Sequence, residues 1–180
     1  MTWTIVVLVV LVLVLLSFWV SWRASRLDRL HNRVEAARTA LDLALARRAS
    51  AAADLASSGQ FDPATSILLA DAVRRARQAE PGERDLAESD LTRALRATLG
   101  DPDFRQDLDG TGEPDDPAEL IDEVEQAAQQ VFIARKFYND LAGRTMHDRH
   151  RPLVRVLHLY GGAPAPEFFD MDDALTDAVS

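Results

Sequence analysis

Residues 2–22, TWTIVVLVVLVLVLLSFWVSW, decide the fold because they form a long apolar run without a charged side chain. A helix needs about 20 such residues to cross a bilayer. The chain's 3 tryptophans bracket the run, with Trp3 at one end and Trp19 and Trp22 at the other, and indole rings favour the headgroup level. A signal peptide would carry a basic leading segment, a shorter apolar run and a small-residue cleavage site, and a buried core helix is the other alternative. The pattern favours a membrane anchor over residues 1–22 that contacts lipid through residues 2–22.

The charged residues all follow this run, and they give the 180-residue chain a formal net charge of -9. An acidic surface weighs against nucleic-acid binding, because phosphates are neutralised by basic side chains. The chain has no cysteine, so we expect neither disulfides nor thiolate chemistry. The residues nearest the run are basic: Arg23, Arg26, Arg29, Arg33 and Arg38. Because basic flanks mark the cytoplasmic side, we expect a single-pass protein of the plasma or inner membrane, N-terminus outside and C-terminal domain cytoplasmic.

Residues 23–58 continue from the apolar run with the pattern of a helix in a bundle or coiled coil. Alanine and arginine, both good helix formers, fill most of the remaining positions. Arg48 is the one position that breaks the apolar series. The series recurs at spacings of three and four: Leu27, Leu30, Val34, Ala37, Leu41, Ala44, Ala52 and Leu55.

A second helix is predicted over residues 63–80, with Asp62 as its cap and Pro63 in its first turn. Its apolar set is Ile67, Leu68, Leu69, Val73 and Ala76. Pro81 and Gly82 then break or kink the helix, because proline lacks a backbone donor. The pattern resumes over residues 83–99 through Leu86, Leu91, Leu95 and Leu99. One broken helix and two short helices fit this pattern equally well.

A third long helix is predicted over residues 117–145, after an acidic loop at residues 101–117 that is rich in proline and glycine. Its stripe alternates spacings of four and three, with Phe132, Ile133 and Phe137 broadening it. The stripe positions are Leu120, Val124, Ala127, Val131, Ala134, Tyr138 and Leu141.

These elements predict an all-α protein: an N-terminal transmembrane helix followed by an elongated up-and-down antiparallel bundle of three long helices. The second helix is broken at Pro81, so the bundle has three or four helices. Short connections favour antiparallel neighbours, since no amphipathic helix can bury its stripe alone. We divide the chain into an anchor at 1–22, a cytoplasmic helical bundle at 23–160 and an acidic C-terminal tail at 161–180. In this arrangement the acidic loop would return to the arginines that follow the anchor.

Two internal blocks and the C-terminal end resemble the LemA family of bacterial membrane-anchored helical proteins. Residues 32–36, NRVEA, and the Arg47-Arg48 pair match its first block, and residues 134–140, ARKFYND, match its ARxFYN core. Residues 166–169, PEFF, match its closing motif. The stretch TMHDRHRP replaces the family's usual sequence after FYN, so the chain is similar to a divergent member. The resemblance implies a helical bundle on a membrane anchor and no enzymatic activity.

Phe137, Tyr138 and Asn139 form the first candidate site, either as a recognition patch or as core packing. We favour packing, with Asn139 or the Tyr138 hydroxyl bonded to a neighbouring helix.

Two further groups resemble metal sites. The carboxylates Asp107, Asp109, Glu113 and Asp116 surround Gly110 partly as in a calcium loop, but Arg105 stands where a carboxylate is needed, so a solvated loop is favoured. The histidines His147 and His150 flank Asp148, with His158 beyond, but Arg149 and Arg151 would repel a cation. We therefore predict no catalytic, cofactor-binding or metal residue and no cofactor.

The leading functional hypothesis is a non-enzymatic membrane-anchored scaffold or adaptor, whose helical bundle binds a protein partner or another copy of the chain. The alternative is a metal-dependent enzyme or ion-sensing protein that uses the acidic loop 101–116 or His147 and His150. A third is an accessory subunit of a protease or transporter that uses residues 2–22 as its contact helix. Motifs for nucleophilic, phosphate-loop or zinc-protease chemistry do not occur in the sequence.

Overall fold

A computed structural model describes residues 2–100, 117–149 and 165–175, but not the side chains of residues 20–30, 117, 148 and 149. Within these ranges the regular structure is entirely helical, which confirms the all-α prediction. The described ranges contain four helices: α1 (Thr2–Ser57), α2 (Pro63–Gln78), α3 (Arg84–Leu99) and α4 (Pro117–Arg149). The interruption around Pro81 separates α2 from α3, so this part of the chain is two short helices. The acidic loop 101–116, and its expected position beside the arginines, lie outside the described residues.

The chain divides into two compact units. The first comprises residues 1–37 and 140–168, and the second comprises residues 38–139 and 169–180. In the first unit, Thr2–Trp19 is a helix long and apolar enough to cross a membrane or to act as a signal sequence, and none of it is buried.

The second unit has an apolar core to which all four helices contribute. α1 supplies mostly alanines together with Leu55, whereas α3 supplies Leu91, Leu95 and Leu99. Burying each large apolar side chain contributes about 1.5–3 kcal/mol relative to leaving it in water. The remaining members are Leu69, Ala72, Val73 and Ala76 of α2 and Ile121, Val124 and Ala127 of α4.

Polar contacts within the second unit show how α1 and its neighbours run. Arg77, near the end of α2, donates to the Ala49 carbonyl at 3.2 Å and to Ser50 Oγ at 3.1 Å, so α2 folds back along α1. Arg84, at the start of α3, lies 3.0 Å from Asp42 of α1. Thr92, further along α3, contacts Arg48, which is further along α1, so these two helices run in the same direction.

The turn between α1 and α2 forms as its sequence predicts. Gly59 adopts φ 77°, a left-handed conformation that costs glycine little and that commonly ends a helix. Asp62 Oδ1 then accepts hydrogen bonds from the backbone N–H groups of Ala64 at 2.9 Å and Thr65 at 3.2 Å. These bonds satisfy donors that have no partner inside the first turn of α2. Hydrogen bonds from Thr65 and Ala64 also lower the pKa of Asp62.

The prediction that certain apolar residues belong to the core is wrong for several of them. Ile67, Leu68 and Leu86 are 68%, 69% and 69% exposed. The buried stripe of α2 is Leu69, Ala72, Val73 and Ala76, which recur at three-four spacing, whereas Ile67 and Leu68 lie to one side of it. Phe132, Ile133 and Phe137 do not broaden the buried stripe of α4 either, because all three are exposed. Finally, α4 continues past the predicted end at residue 145 to Arg149.

Candidate functional site

Arg48, which interrupts the apolar stripe of α1, is fully buried in the second unit. Its Nη2 atom donates to Glu88 Oε2 at 2.7 Å and to the Glu88 carbonyl at 3.2 Å. The Nη1 atom donates to Thr92 Oγ1 at 2.8 Å. Glu88 and Thr92 are one turn apart on α3, so one guanidinium joins α1 to two successive turns of α3.

Further charges surround this ion pair. Arg84 Nε lies 4.0 Å from Glu88 Oε1, and Arg84 also pairs with Asp42. Burial raises the pKa of Glu88, and the charges of Arg48 and Arg84 oppose that rise. The Nε of Arg48 has no hydrogen-bond partner among the described residues, although it is buried. Because Arg48 and Glu88 are closed off from solvent, we assign the pair a structural role.

The sequence pattern marked Arg48 as an exception but did not identify Glu88. The missed signal is that Glu88 and Thr92 share the three-four spacing of Leu91, Leu95 and Leu99, so they lie on the buried side of α3. The neighbouring Arg47 points elsewhere and lines an open groove between α1 and α4.

Residues 169–175, which we call the C-terminal strap, lie extended on the second unit between α3 and α4. Asn139 on α4 makes two hydrogen bonds to Phe169: its Nδ2 donates to the Phe169 carbonyl at 3.0 Å, and its Oδ1 accepts from the Phe169 N–H at 2.9 Å. On α3, Asp85 Oδ2 accepts from the Asp170 N–H at 2.9 Å, and Ser89 Oγ accepts from the Asp172 N–H at 3.0 Å. Side chains of both helices therefore bind the strap's backbone.

Asp172 and Asp173 of the strap each pair with an arginine, one from α3 and one from α4. Arg96 on α3 donates to both oxygens of Asp172, at 3.0 and 3.1 Å, and its Nε donates to the Ala174 carbonyl at 2.8 Å. Arg135 on α4 donates to both oxygens of Asp173, at 2.6 and 3.0 Å. The hydrogen bond from Arg96 lowers the pKa of Asp172. Arg135 meets Asp173 through two nitrogens, Nε and Nη2, and such a two-pronged pair fixes orientation as well as adding energy.

Two apolar side chains fasten the strap to the unit. Phe169 and Met171 are both buried. The Arg38 guanidinium lies 5.4 Å from the centroid of the Phe169 ring and 5.5 Å from that of Tyr138, a distance at which a cation is attracted to a ring face.

The Phe137-Tyr138-Asn139 candidate therefore divides into two parts. Tyr138 is buried, as the packing interpretation predicts, and Asn139 is hydrogen-bonded, but to the strap rather than to a neighbouring helix. Phe137 is exposed and belongs to a different surface.

That surface is the apolar row, which we define as Phe132, Ile133 and Phe137 of α4. Their exposed fractions are 39%, 57% and 59%. Lys136 lies beside the row, with its Nζ 6.0 Å from the centroid of the Phe132 ring. Three large apolar side chains within six residues of one helix give the second unit a surface suited to docking.

The metal-site candidates are mostly outside the described ranges. The carboxylates of the acidic loop, together with His150 and His158, are not described, whereas His147 is an exposed residue of α4. Within the described part of the chain, three or more histidine or carboxylate side chains nowhere cluster as a metal site would require.

Comparison with known proteins finds no matching family model, no matching curated protein and no matching solved structure.

Replacing Arg48 by Met should destabilise the second unit by about 3–5 kcal/mol, because it leaves Glu88 buried without its cation. Adding Glu88→Met in the same chain should recover most of that loss, since two apolar side chains of similar volume replace the ion pair. Thermal unfolding of the full-length protein in detergent micelles, followed by circular dichroism, measures both changes.

The matched control for this test is Arg74→Met, which removes an exposed arginine of the second unit paired with Asp71 one turn away on α2. An exposed pair contributes about 0–1 kcal/mol. If Arg48→Met is no more destabilising than Arg74→Met, the buried pair does not have the role we assign to it.

The loss caused by Arg48→Met should also depend on pH. Burial raises the pKa of Glu88 above its ordinary 4.5, and removing the opposing charge of Arg48 raises it further. A folded state with the higher pKa holds the proton more tightly, so its free energy of unfolding rises as pH falls towards the ordinary pKa. The difference in melting temperature between Arg48→Met and wild type should therefore be smaller at about pH 5.5 than at about pH 7.5. A difference that widens at the lower pH would contradict this assignment.

Proposed function

We propose that this protein is a membrane-anchored, non-enzymatic scaffold or adaptor, similar to the LemA family in architecture. The observation that carries the proposal is the apolar row on α4. A helix that leaves Phe132, Ile133 and Phe137 in water keeps apolar area available, and burying such area against a partner contributes about 25 cal/mol per Å².

The apolar row has the geometry of a helix that packs against another protein. Ile133 and Phe137 are one turn apart and lie on the same side of α4, and Phe132 extends that side. Amphipathic docking of this kind places apolar anchors at three-four spacing into a groove or onto another helix. The partner is then another protein or a second copy of this chain.

The anchor in this proposal is the exposed apolar start of α1. Residues 2–22 contact lipid, and the basic residues that follow place the N-terminus outside and the remainder of the chain in the cytoplasm. The second unit, in which α2 folds back along α1 and α3 returns in the direction of α1, supports an up-and-down bundle as the part that meets partners.

A photo-crosslinking amino acid placed at position 133 or 137 should yield a discrete adduct in intact cells, because a partner that covers the apolar row would lie within reach of both positions. The same amino acid at Asp122, an exposed polar position of α4, is the matched control and should yield none. Adducts are detected by their mass after gel separation.

Phe137→Asp provides the second arm of this experiment. Since Phe137 is exposed, the substitution should leave the melting temperature nearly unchanged while abolishing the adduct from position 133. Equal labelling from positions 122 and 133, or an adduct that persists with Phe137→Asp, would argue against the apolar row as an interface.

The orientation can be tested separately with protease added outside intact cells. The proposed topology predicts that residues 23–180 remain whole, because the membrane shields them. Their digestion would reverse the assignment of the two sides, and digestion after permeabilisation is the positive control.

A further inference from the structure

The C-terminal strap contacts α3 and α4 as a bound peptide contacts its receptor. Three backbone N–H groups of the strap each donate a hydrogen bond to a side chain of the unit: those of Phe169, Asp170 and Asp172. The accepting atoms are Asn139 Oδ1, Asp85 Oδ2 and Ser89 Oγ. Because they bind backbone groups, these contacts require an extended segment and are open to more than one sequence.

The side chains of the strap add sequence selectivity. Phe169 and Met171 are two residues apart, so in an extended chain both point to the same side, and both are buried. Asp172 and Asp173 then meet Arg96 and Arg135 from opposite helices. The surface therefore selects an extended segment with the order apolar, any residue, apolar, acidic, acidic.

We propose that this surface of α3 and α4 is a recognition groove for an extended acidic segment of a partner protein, and that the strap is the resident segment that the partner displaces. The groove is distinct from the apolar row, and the proposal does not depend on the row being an interface. Its ligand is defined by chemistry: two apolar anchors two residues apart, followed by two carboxylates.

One of the strap's two ion pairs is weakly held, whereas Phe169, Met171 and Asp173 are the parts that a competing segment must replace. The pairing of Arg96 with Asp172 is partly exposed, and exposed pairs contribute about 0–1 kcal/mol each. The strap gains its main advantage from belonging to the same chain, since covalent linkage raises the effective concentration of a segment at its binding surface. A segment from a partner that makes the same contacts competes once the tethered one is weakened.

The test uses the full-length protein in detergent micelles with Ser89→Cys and Asp172→Cys. Ser89 Oγ lies 3.0 Å from the Asp172 N–H, and the natural chain has no cysteine, so the introduced pair is the only one that can form a disulfide. Oxidation locks the strap in its groove. Reduction releases it and leaves it weakened, because Asp172 no longer pairs with Arg96.

The probe is a fluorescently labelled peptide with the sequence of residues 166–175, PEFFDMDDAL, and binding is followed by fluorescence anisotropy. The reduced protein should bind it at least about tenfold more tightly than the oxidised protein, because the lock denies the peptide its groove. Equal binding by the two forms would overturn the proposal, as would no binding by the reduced form while its helical circular dichroism is intact.

Two substitutions in the reduced background locate the binding. Arg135→Ala should weaken the protein's affinity for the peptide by about tenfold, since it removes a two-pronged charged contact. Lys136→Ala, the adjacent exposed cation, is the matched control and should leave binding unchanged. If both variants lose the same affinity for the peptide, only net charge attracts it, and the proposed groove would be rejected.

A second variant covers the case in which the cysteine pair does not fold or does not oxidise. Phe169→Ala with Met171→Ala removes the apolar anchors of the strap, and this protein should bind the peptide more tightly than wild type does. If this protein binds the peptide no more tightly than wild type does while its helical circular dichroism is intact, the strap and the peptide do not share a surface and the proposal fails.

Discussion

The buried contact of Arg48 with Glu88 constrains the second unit more than any other described interaction. An arginine inside an apolar core is tolerated only where its charge and its donors are met, because the cost of removing it from water is several kcal/mol. Glu88 and Thr92 lie four residues apart on α3, and both bind Arg48 of α1. α3 therefore cannot slide or rotate along α1 without separating these charges. The apolar contacts around them are less directional and would tolerate several alignments.

The strap depends on this alignment, because its partners come from two helices. Asp85, Ser89 and Arg96 lie on α3, whereas Arg135 and Asn139 lie on α4. A shift of α3 by one turn would move its three contacts by about 5.4 Å relative to those of α4. Asn139 illustrates how one residue can define an edge of such a surface, since its amide both donates to and accepts from the backbone of Phe169.

Local signals in the sequence were sufficient for the helices and for the turn that joins α1 to α2. Gly59 and Asp62 act through their own backbone and neighbouring N–H groups, so their roles do not depend on the remainder of the fold. The apolar spacing of α1 from Val34 to Leu55 likewise gave its buried side. The separation of α2 from α3 follows from the residues around Pro81, although the sequence left one broken helix as an equal choice.

Tertiary contacts were less accessible from the sequence. Leu86 was expected in the core because it was counted in the apolar pattern of residues 83–99, but the side of α3 that faces the core is set by Leu91, Leu95 and Leu99. Glu88 was missed because its partner is forty residues away, on a helix whose position beside α3 is a property of the fold. The strap was assigned to an acidic tail because its charges are evident in the sequence, whereas the arginines that neutralise them are distant in the chain.

The alanine-rich side of α1 has a thermodynamic consequence for the second unit. Ala49, Ala51, Ala52 and Ala56 are buried where many helices would place leucine. A methyl group removes less apolar area from water than an isobutyl group, so the core exposes less such area when it unfolds. Since exposed apolar area raises the heat capacity of unfolding, that quantity falls below the usual figure of about 12–15 cal/mol/K per residue. The free energy of unfolding then varies less steeply with temperature, and the unit stays folded over a wider thermal range.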